Sequence, residues 1–402
     1  LKNHKFLLSK LKLKRMSEKD IFEEVHEKVS SLKKNFGPFP RRKTKKIKVG
    51  NVFVGGDAPI SVQTMTKNPT EDTDALLQEI REIEEVGADI VRISVPDEKS
   101  VISLSKIRDK VKIPIVADIH FDPRMAILVL QDGLADCVRI NPGNIKVGGI
   151  EKLEKIVDLA KETNTPIRVG VNSGSLEKPI LKRYGKPNPY ALCESALYNV
   201  RLIESMGYYN MKVSLKSSSP FDTILAYFLF SSLSDYPLHV GVTEAGTKIS
   251  GTARSAVALG ILLWHGIGDT IRVSLAAPAR DEVIVGKRIL ESLGLRKEEG
   301  KVIACPTCAR TQIDVMKIAE ELETEMIKRK IKSSVAVMGC VVNGPGESYV
   351  ADVGVVGGGT STAFYIDGVP VSKTGKNPEE ILSKILQILE QKEKSRNKEA
   401  TF

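Results

Sequence analysis

From residue 59 onward, short runs rich in β-branched residues recur along the chain. They read PISVQT (59–64), ADIVRISV (88–95), IPIVADIH (113–120), ADCVRIN (135–141), PIRVGVN (166–172), MKVSLKS (211–217), PLHVGVT (237–243) and DTIRVSL (269–275). Most intervals between them carry a helical period. In DTDALLQEIREIEEVG (72–87) the apolar positions fall three and four apart, and Gly87 follows as a stop. NPYALCESALYNVRLIESMG (188–207) ends the same way at Gly207. Strand and helix alternating eight times leave few ways to bury every apolar face. The prediction is a (β/α)8 TIM barrel. A doubly wound open sheet is the alternative, but no G-x-G-x-x-G opens a helix to support it.

A barrel of this kind does its chemistry at the C-terminal ends of its strands. Arg92, Arg139, Lys216 and Arg272 lie near the ends of the second, fourth, sixth and eighth runs. Alternate strands feed one layer, so four cations are expected to converge on one mouth. The odd runs supply Asp118 and His120, Asn172, and Thr243 with Glu244. Each charge taken singly is as well explained by a neighbour at the rim. Four together point to an anion with more than one phosphate, because converging like charges are costly without a ligand.

After the eighth run come a helix pattern, DEVIVGKRILESLG (281–294), and a charged linker, LRKEEG (295–300). A smaller α/β module is predicted beyond it. It has strands in 301–308, 351–359 and 363–373, a strand running into a glycine-rich loop over 333–347, and helices over 311–330 and 378–391. The expected division is a basic extension over 1–40, a barrel over 41–294 and a second domain over 295–395. Residues 1–50 hold 16 Lys/Arg against 5 Asp/Glu, so this end carries the whole net charge of +10. We read residues 1–40 as a solvated extension. Their first 17 residues lack acids, a hint of targeting that their lysine-rich, serine-poor make-up weakens. No apolar run approaches the roughly 20 residues of a membrane helix.

Five cysteines, an odd and small number, argue against a disulfide framework and for a reducing compartment. Cys137 and Cys193 fall within a strand and a helix and read as small buried hydrophobes. Cys305 and Cys308, in CPTC, and Cys340 share the second module. A redox pair would need no third cysteine. A zinc site would lack a fourth ligand, since no histidine lies in this module. An iron–sulfur cluster tolerates a non-sulfur ligand, with Asn343, Glu347 and Asp352 at hand. Composition and spacing leave zinc and cluster comparable.

The stretches PISVQTMT (59–66), VADIHFD (116–122), RINPGNI (139–145), GVNSGSLEK (170–178), TEAG (243–246), IRVSL (271–275), CPTC (305–308) and MGCVVNGPGE (338–347) resemble the 4-hydroxy-3-methylbut-2-enyl diphosphate synthase family of the non-mevalonate isoprenoid pathway. The resemblance runs in order from about Arg41 to the late 370s. It implies a TIM barrel followed by a small iron–sulfur domain. The implied reaction is reductive opening of 2-C-methyl-D-erythritol 2,4-cyclodiphosphate, with two electrons consumed and water lost. It implies a [4Fe–4S] cluster on Cys305, Cys308, Cys340 and Glu347. Arg92, Arg139, Lys216 and Arg272, with Ser274 nearby, would bind the diphosphate. Glu244 would be the acid near the substrate and Asn343 a cluster-side amide. A ferredoxin or flavodoxin electron donor and a homodimer with a shared active site are implied as well.

The corresponding expectation is a bacterial cytoplasmic enzyme, with a plastid location left open and neither membrane nor nucleic acid as partner. Two rivals remain at this point. One is a barrel enzyme on another phosphorylated substrate with a structural zinc module. The other is a zinc-bound nucleic-acid module with a basic arm, which lacks the aromatic interleaving that base stacking needs.

Overall fold

The fold is described from a computed structural model, which covers residues 26–27, 38–145, 149–297 and 300–399. Apart from 26–27 and 38–40, the predicted N-terminal extension lies outside the described residues. All eight expected barrel strands are present. They are β3 (Ser61–Met65), β4 (Ile90–Ser94), β5 (Ile115–Asp118), β6 (Cys137–Ile140), β7 (Ile167–Asn172), β8 (Met211–Lys216), β9 (His239–Val240) and β10 (Thr270–Ile271). Every ladder between them is parallel. A bridge from Val213 to Leu238 closes the ring between β8 and β9.

The predicted helices form where their caps allow. Asp72 caps Thr73–Glu85 by accepting from the amide of Ala75, and Asn188 caps Pro189–Ser205 by accepting from Ala191. Their buried faces, including Leu76, Ile80 and Ile83 in the first, join the outer faces of the strands in one continuous core.

Two differences from the sequence reading matter. The last two barrel strands are two residues each, much shorter than their β-branched runs. At Gly241 the chain passes so close to Arg272 that a Cβ would lie 2.2 Å from the Arg272 carbonyl oxygen. The second difference is an antiparallel hairpin before the barrel, β1 (Ile47–Val49) with β2 (Val52–Val54). Its Ile47, Val49 and Val54 pack on Ile90, Val116 and Cys137, the inward residues at the strand starts. The hairpin therefore plugs the end of the barrel opposite the mouth.

Beyond the barrel stands a five-stranded sheet. It comprises β11 (Val302–Ala304), β12 (Val335–Met338), β13 (Val353–Gly357), β14 (Thr362–Ile366) and β15 (Val369–Thr374), in that spatial order. The first three are mutually parallel and the last two antiparallel, with Asp367–Gly368 as the hairpin turn. Helices Val315–Arg329 and Pro378–Glu399 cover one face. The loop after β12 differs from the glycine-rich loop expected there, because a short helix, Gly344–Val350, begins within it. Pro345 suits its first turn. No helix among the described residues is long and apolar enough to cross a membrane.

Candidate active site

The strand register fixes what the barrel interior contains. Followed from strand to strand starting at Arg92, it returns to the line of β4 at Glu84, eight residues earlier. That is the shear of 8 expected for such barrels, so a layer climbs one residue per strand. The middle layer is then Arg92, Arg139, Ser214 and Arg272. The layer beneath it, from the odd strands, is Gln63, Val116, Arg168 and His239. Above it lie Met65, Asp118, Gly170 and Gly241, and then Ser94, Asn141, Lys216 and Ser274 at the mouth.

Three of the four predicted cations thus share a layer. Lys216 does not: Ser214 takes the sixth strand's place and Lys216 stands two residues nearer the mouth. The sequence reading treated every strand-end residue as level, whereas the tilt of the strands raises each by its position around the ring.

Each cation is held differently. Arg139, 2% exposed, donates to Asp118 Oδ1 at 3.2 Å and to the Gly170 carbonyl at 3.2 Å, and faces the His120 ring. A side chain at Gly170 would put its Cβ 2.3 Å from Arg139 Nε, so glycine is what admits the guanidinium. Arg92 donates to Met65 Sδ and lies 3.7 Å from Asp118. Burial lowers its pKa to about 10, partly offset by Asp118. Arg272 pairs with buried Glu282 at 3.2 Å, and Glu282 also takes Lys67, Thr64 Oγ1 and the Leu275 amide. Asp118 is buried, which alone would raise its pKa. Arg92, the His120 hydrogen bond and Arg139 outweigh burial and hold it well below the usual carboxylate range.

Other polar groups have no protein partner. Lys216 Nζ and Ser274 Oγ are buried at the mouth without one. Burial, then the charges of Arg168, Arg272, Arg92 and Arg139, push Lys216 well below the ordinary lysine pKa. Deeper in, Arg168 reaches Ser214 Oγ alone, and neither Lys212 Nζ nor either ring nitrogen of His239 is bonded.

Sequence reasoning did not single out Arg168 and Lys212. The signal was present. Arg168 is register partner to Arg139 in the ladder, and Lys212, Ser214 and Lys216 alternate on one face of β8. Among the described residues, six interior cations, with Lys67 also reaching Glu282, therefore face two carboxylates, Asp118 and Glu282. Burial on this scale is costly unless an anion of several charges enters. Glu244 sits at the mouth after β9, exposed and with φ of 51°, a left-handed backbone at a non-glycine residue. Asn172 ends β7 at the same rim.

In the second module, CPTC follows β11 and Cys340 follows β12. These are adjacent parallel strands, so all three cysteines lie at the same sheet end. The Cys305 amide donates to the Val337 carbonyl at 3.0 Å. The Cys308 amide donates to Thr311 Oγ1, and the Gln312 amide to the Gly339 carbonyl, tying the two loops together. Thr307 holds φ of 64°, unusual for a β-branched residue. Glu347 lies in the first turn of Gly344–Val350, with Asn343 before it, and the Glu347 amide donates to the Asn343 carbonyl. All three cysteines are free, Cys308 exposed and the others partly so.

This topology and donor set, three soft thiols and one carboxylate from two neighbouring loops, fit a site for an iron–sulfur cluster. Among the described residues no three His, Cys, Asp or Glu side chains are gathered as a metal-binding group.

The two modules meet away from both functional ends. Arg288 on helix Ala279–Ser292 lies 3.6 Å from Glu323, and Ile327 packs on the barrel core. A cleft between them is lined by Glu84–Gly87 from the barrel and Lys330–Lys332 from the second module. These are the helix ends beside the strand starts, so the cysteine loops and the barrel mouth face apart.

Residues 44–287 match the family described as the GcpE TIM-barrel domain, and residues 301–391 the GcpE protein C-terminal domain. The chain is 51% identical over 352 residues to the 4-hydroxy-3-methylbut-2-en-1-yl diphosphate synthase (flavodoxin) of Caldanaerobacter subterraneus, covering 87% of this chain and 97% of that protein. The proteins of the same description from Azotobacter vinelandii and Clostridium perfringens are 51% and 47% identical. Those matches cover 84% and 87% of this chain and 90% and 99% of theirs.

Proposed function

Because this chain belongs to the GcpE family, we propose that it is a 4-hydroxy-3-methylbut-2-en-1-yl diphosphate synthase. It reductively opens 2-C-methyl-D-erythritol 2,4-cyclodiphosphate and removes water. The observation that carries the reading is the barrel interior, where six buried cations face two carboxylates and several are unpaired. A cyclic diphosphate supplies the missing negative charge.

On this reading residues 41–294 form the substrate unit and 295–395 the cluster unit. Arg92, Arg139, Lys216 and Arg272 hold the diphosphate, and Ser274 donates to it from the mouth. Arg168, one layer below, adds to the positive field. Glu244 delivers a proton to the departing oxygen, and Asn343 presents its amide on the cluster side. Cys305, Cys308, Cys340 and Glu347 hold a [4Fe–4S] cluster. When bound, that cluster would relay the two electrons one at a time and offer a Lewis-acidic iron on the carboxylate side, where ligation is weakest. Reduced flavodoxin or ferredoxin provides the electrons.

The opposed directions of mouth and cysteine loops support a homodimer. In a two-fold pair, each second module reaches the partner's mouth, which its own chain denies it. Closure then buries Glu244 and excludes water from the reacting centre.

The test is anaerobic assay of purified protein with the cyclic diphosphate and reduced flavodoxin. Brown protein containing iron and sulfide, turning substrate into the allylic diphosphate, is the expected result. Protein loaded with iron and sulfide that leaves the substrate unchanged sinks the reading.

A further inference from the structure

Beneath the ring of Arg92, Arg139 and Arg272 the barrel interior stays polar. Gln63, Arg168 and His239 belong to the next layer down, and Lys212 stands one layer lower, on the strand between those of Arg168 and His239. All four side chains are 1% exposed or less. Six of their polar atoms have no hydrogen-bond partner: both amide atoms of Gln63, Arg168 Nη1, Lys212 Nζ and both ring nitrogens of His239. Arg168 and Lys212 both act electrostatically on His239, and Arg168 acts on Lys212, so these groups surround one volume. Buried polar atoms are ordinarily partnered, and this many together point to a ligand.

The set is rich in donors and short of negative charge. Burial holds His239 neutral, so it donates through one nitrogen. With the Arg168 guanidinium, the Lys212 ammonium and the Gln63 amide, that makes four donor groups on β3, β7, β8 and β9. No carboxylate among the described residues bonds to Arg168 or Lys212. Asp118 acts on Arg168 from two layers above, where Arg92, Arg139 and His120 already share it. Cys137 stands in the layer of Lys212, but burial raises its thiol pKa, so it brings no charge. Arg168 cannot shed its proton. Water would satisfy the hydrogen bonds and leave the charge uncompensated. A cyclic diphosphate in the ring above carries one ionised oxygen on each phosphorus, too few to reach this depth as well. From below, Ile47, Val49 and Val54 pack on Ile90, Val116 and Cys137 and form an apolar floor.

We propose that Gln63, Arg168, Lys212 and His239 form a second anion site, deep beneath the diphosphate, for one small monovalent anion such as chloride. Such an ion is little larger than a water molecule and offsets charge as well as accepting hydrogen bonds. With it in place, Arg168 and Lys212 are compensated, and the ring above keeps its own charge for the substrate. The site goes beyond the proposed reaction, and substrate-free protein tests it.

Bromide takes the place of chloride and scatters X-rays anomalously at its absorption edge. Crystals of the unsubstituted full-length protein grown in sodium bromide should show an anomalous peak among Arg168, Lys212 and His239. In solution, the melting temperature in sodium chloride should exceed that in sodium glutamate of equal ionic strength, saturably and by about 2 °C. This chloride advantage should vanish in Lys212→Met, whatever the substitution does to the baseline. The diffraction measurement needs no variant, so it decides the matter even where Lys212→Met folds poorly. Water alone at this depth in the bromide crystals would overturn the proposal. So would bromide confined to the ring of Arg92, Arg139 and Arg272, or a chloride advantage that Lys212→Met keeps in full.

Discussion

Arg139 and Asp118 meet at 3.2 Å in the middle of the barrel, with side chains 2% and 0% exposed. Asp118 also lies 3.7 Å from Arg92, so one carboxylate stands between two guanidiniums of the same layer. It is the only described carboxylate beside that pair, and the other cations depend on Glu282 or on no anion.

Asp118→Asn should therefore lower the melting temperature of the ligand-free protein, by a loss of about 3 kcal/mol, because two buried cations lose their partner. Added inorganic diphosphate should recover part of it. Asp118 has a lowered pKa when folded. Its contribution is full above the unfolded carboxylate pKa of about 4 and is lost as pH falls from there. Thermal unfolding at pH 7 and pH 3 checks both statements, and an equal melting temperature for variant and parent would refute them.

Arg168→Met should act in the opposite direction. Arg168 has one hydrogen-bond partner and no carboxylate, and its removal relieves repulsion with Arg92 and Arg139. The ligand-free variant should melt no lower than the parent, with a gain of up to about 1 kcal/mol. Its protection by diphosphate should shrink. Calorimetry with and without the anion separates the two, and undiminished protection would exclude Arg168 from the anion site.

His239 gives a pH dependence of definite sign. Burial, then Arg168 and Lys216, hold its pKa well below the ordinary histidine value. The unfolded chain takes up a proton below about pH 6.5 and the folded chain does not, so stability falls as pH drops from there, by up to about 1.4 kcal/mol per unit. In His239→Gln this slope should flatten. Denaturant midpoints between pH 5 and pH 7 measure it.

Mixing Cys340→Ser with Arg272→Ala tests the shared site. Each parent should be inactive, and Cys340→Ser should also lose iron. Random reassortment leaves one intact site in each mixed dimer, so about a quarter of full activity should return. No recovery from mixed dimers that are shown to form would place the cluster over its own barrel.

The local pattern of the sequence determined much of this protein. Eight β-branched runs with helical intervals specify the barrel, because alternation at that length has almost no other way to bury its faces. That CPTC and Cys340 share one sheet end was legible, since they follow two strands that read clearly as strands. The hairpin at Ile47–Val54 was overlooked, although IKV and VFV set exposed Lys48 and Phe53 between aliphatic residues, because a three-residue strand is a weak signal without the barrel floor to pack on.

Tertiary structure alone decided depth and direction. Strand tilt and a shear of eight put Arg168 beneath the ring and Lys216 above it, a displacement that accumulates around the barrel and appears in no single segment. The packing of Arg288 and Ile327 between the modules turned the cysteine loops away from the barrel mouth. The sequence supplies both halves of the site, and their separation within one chain follows from which surfaces of the two modules bury each other.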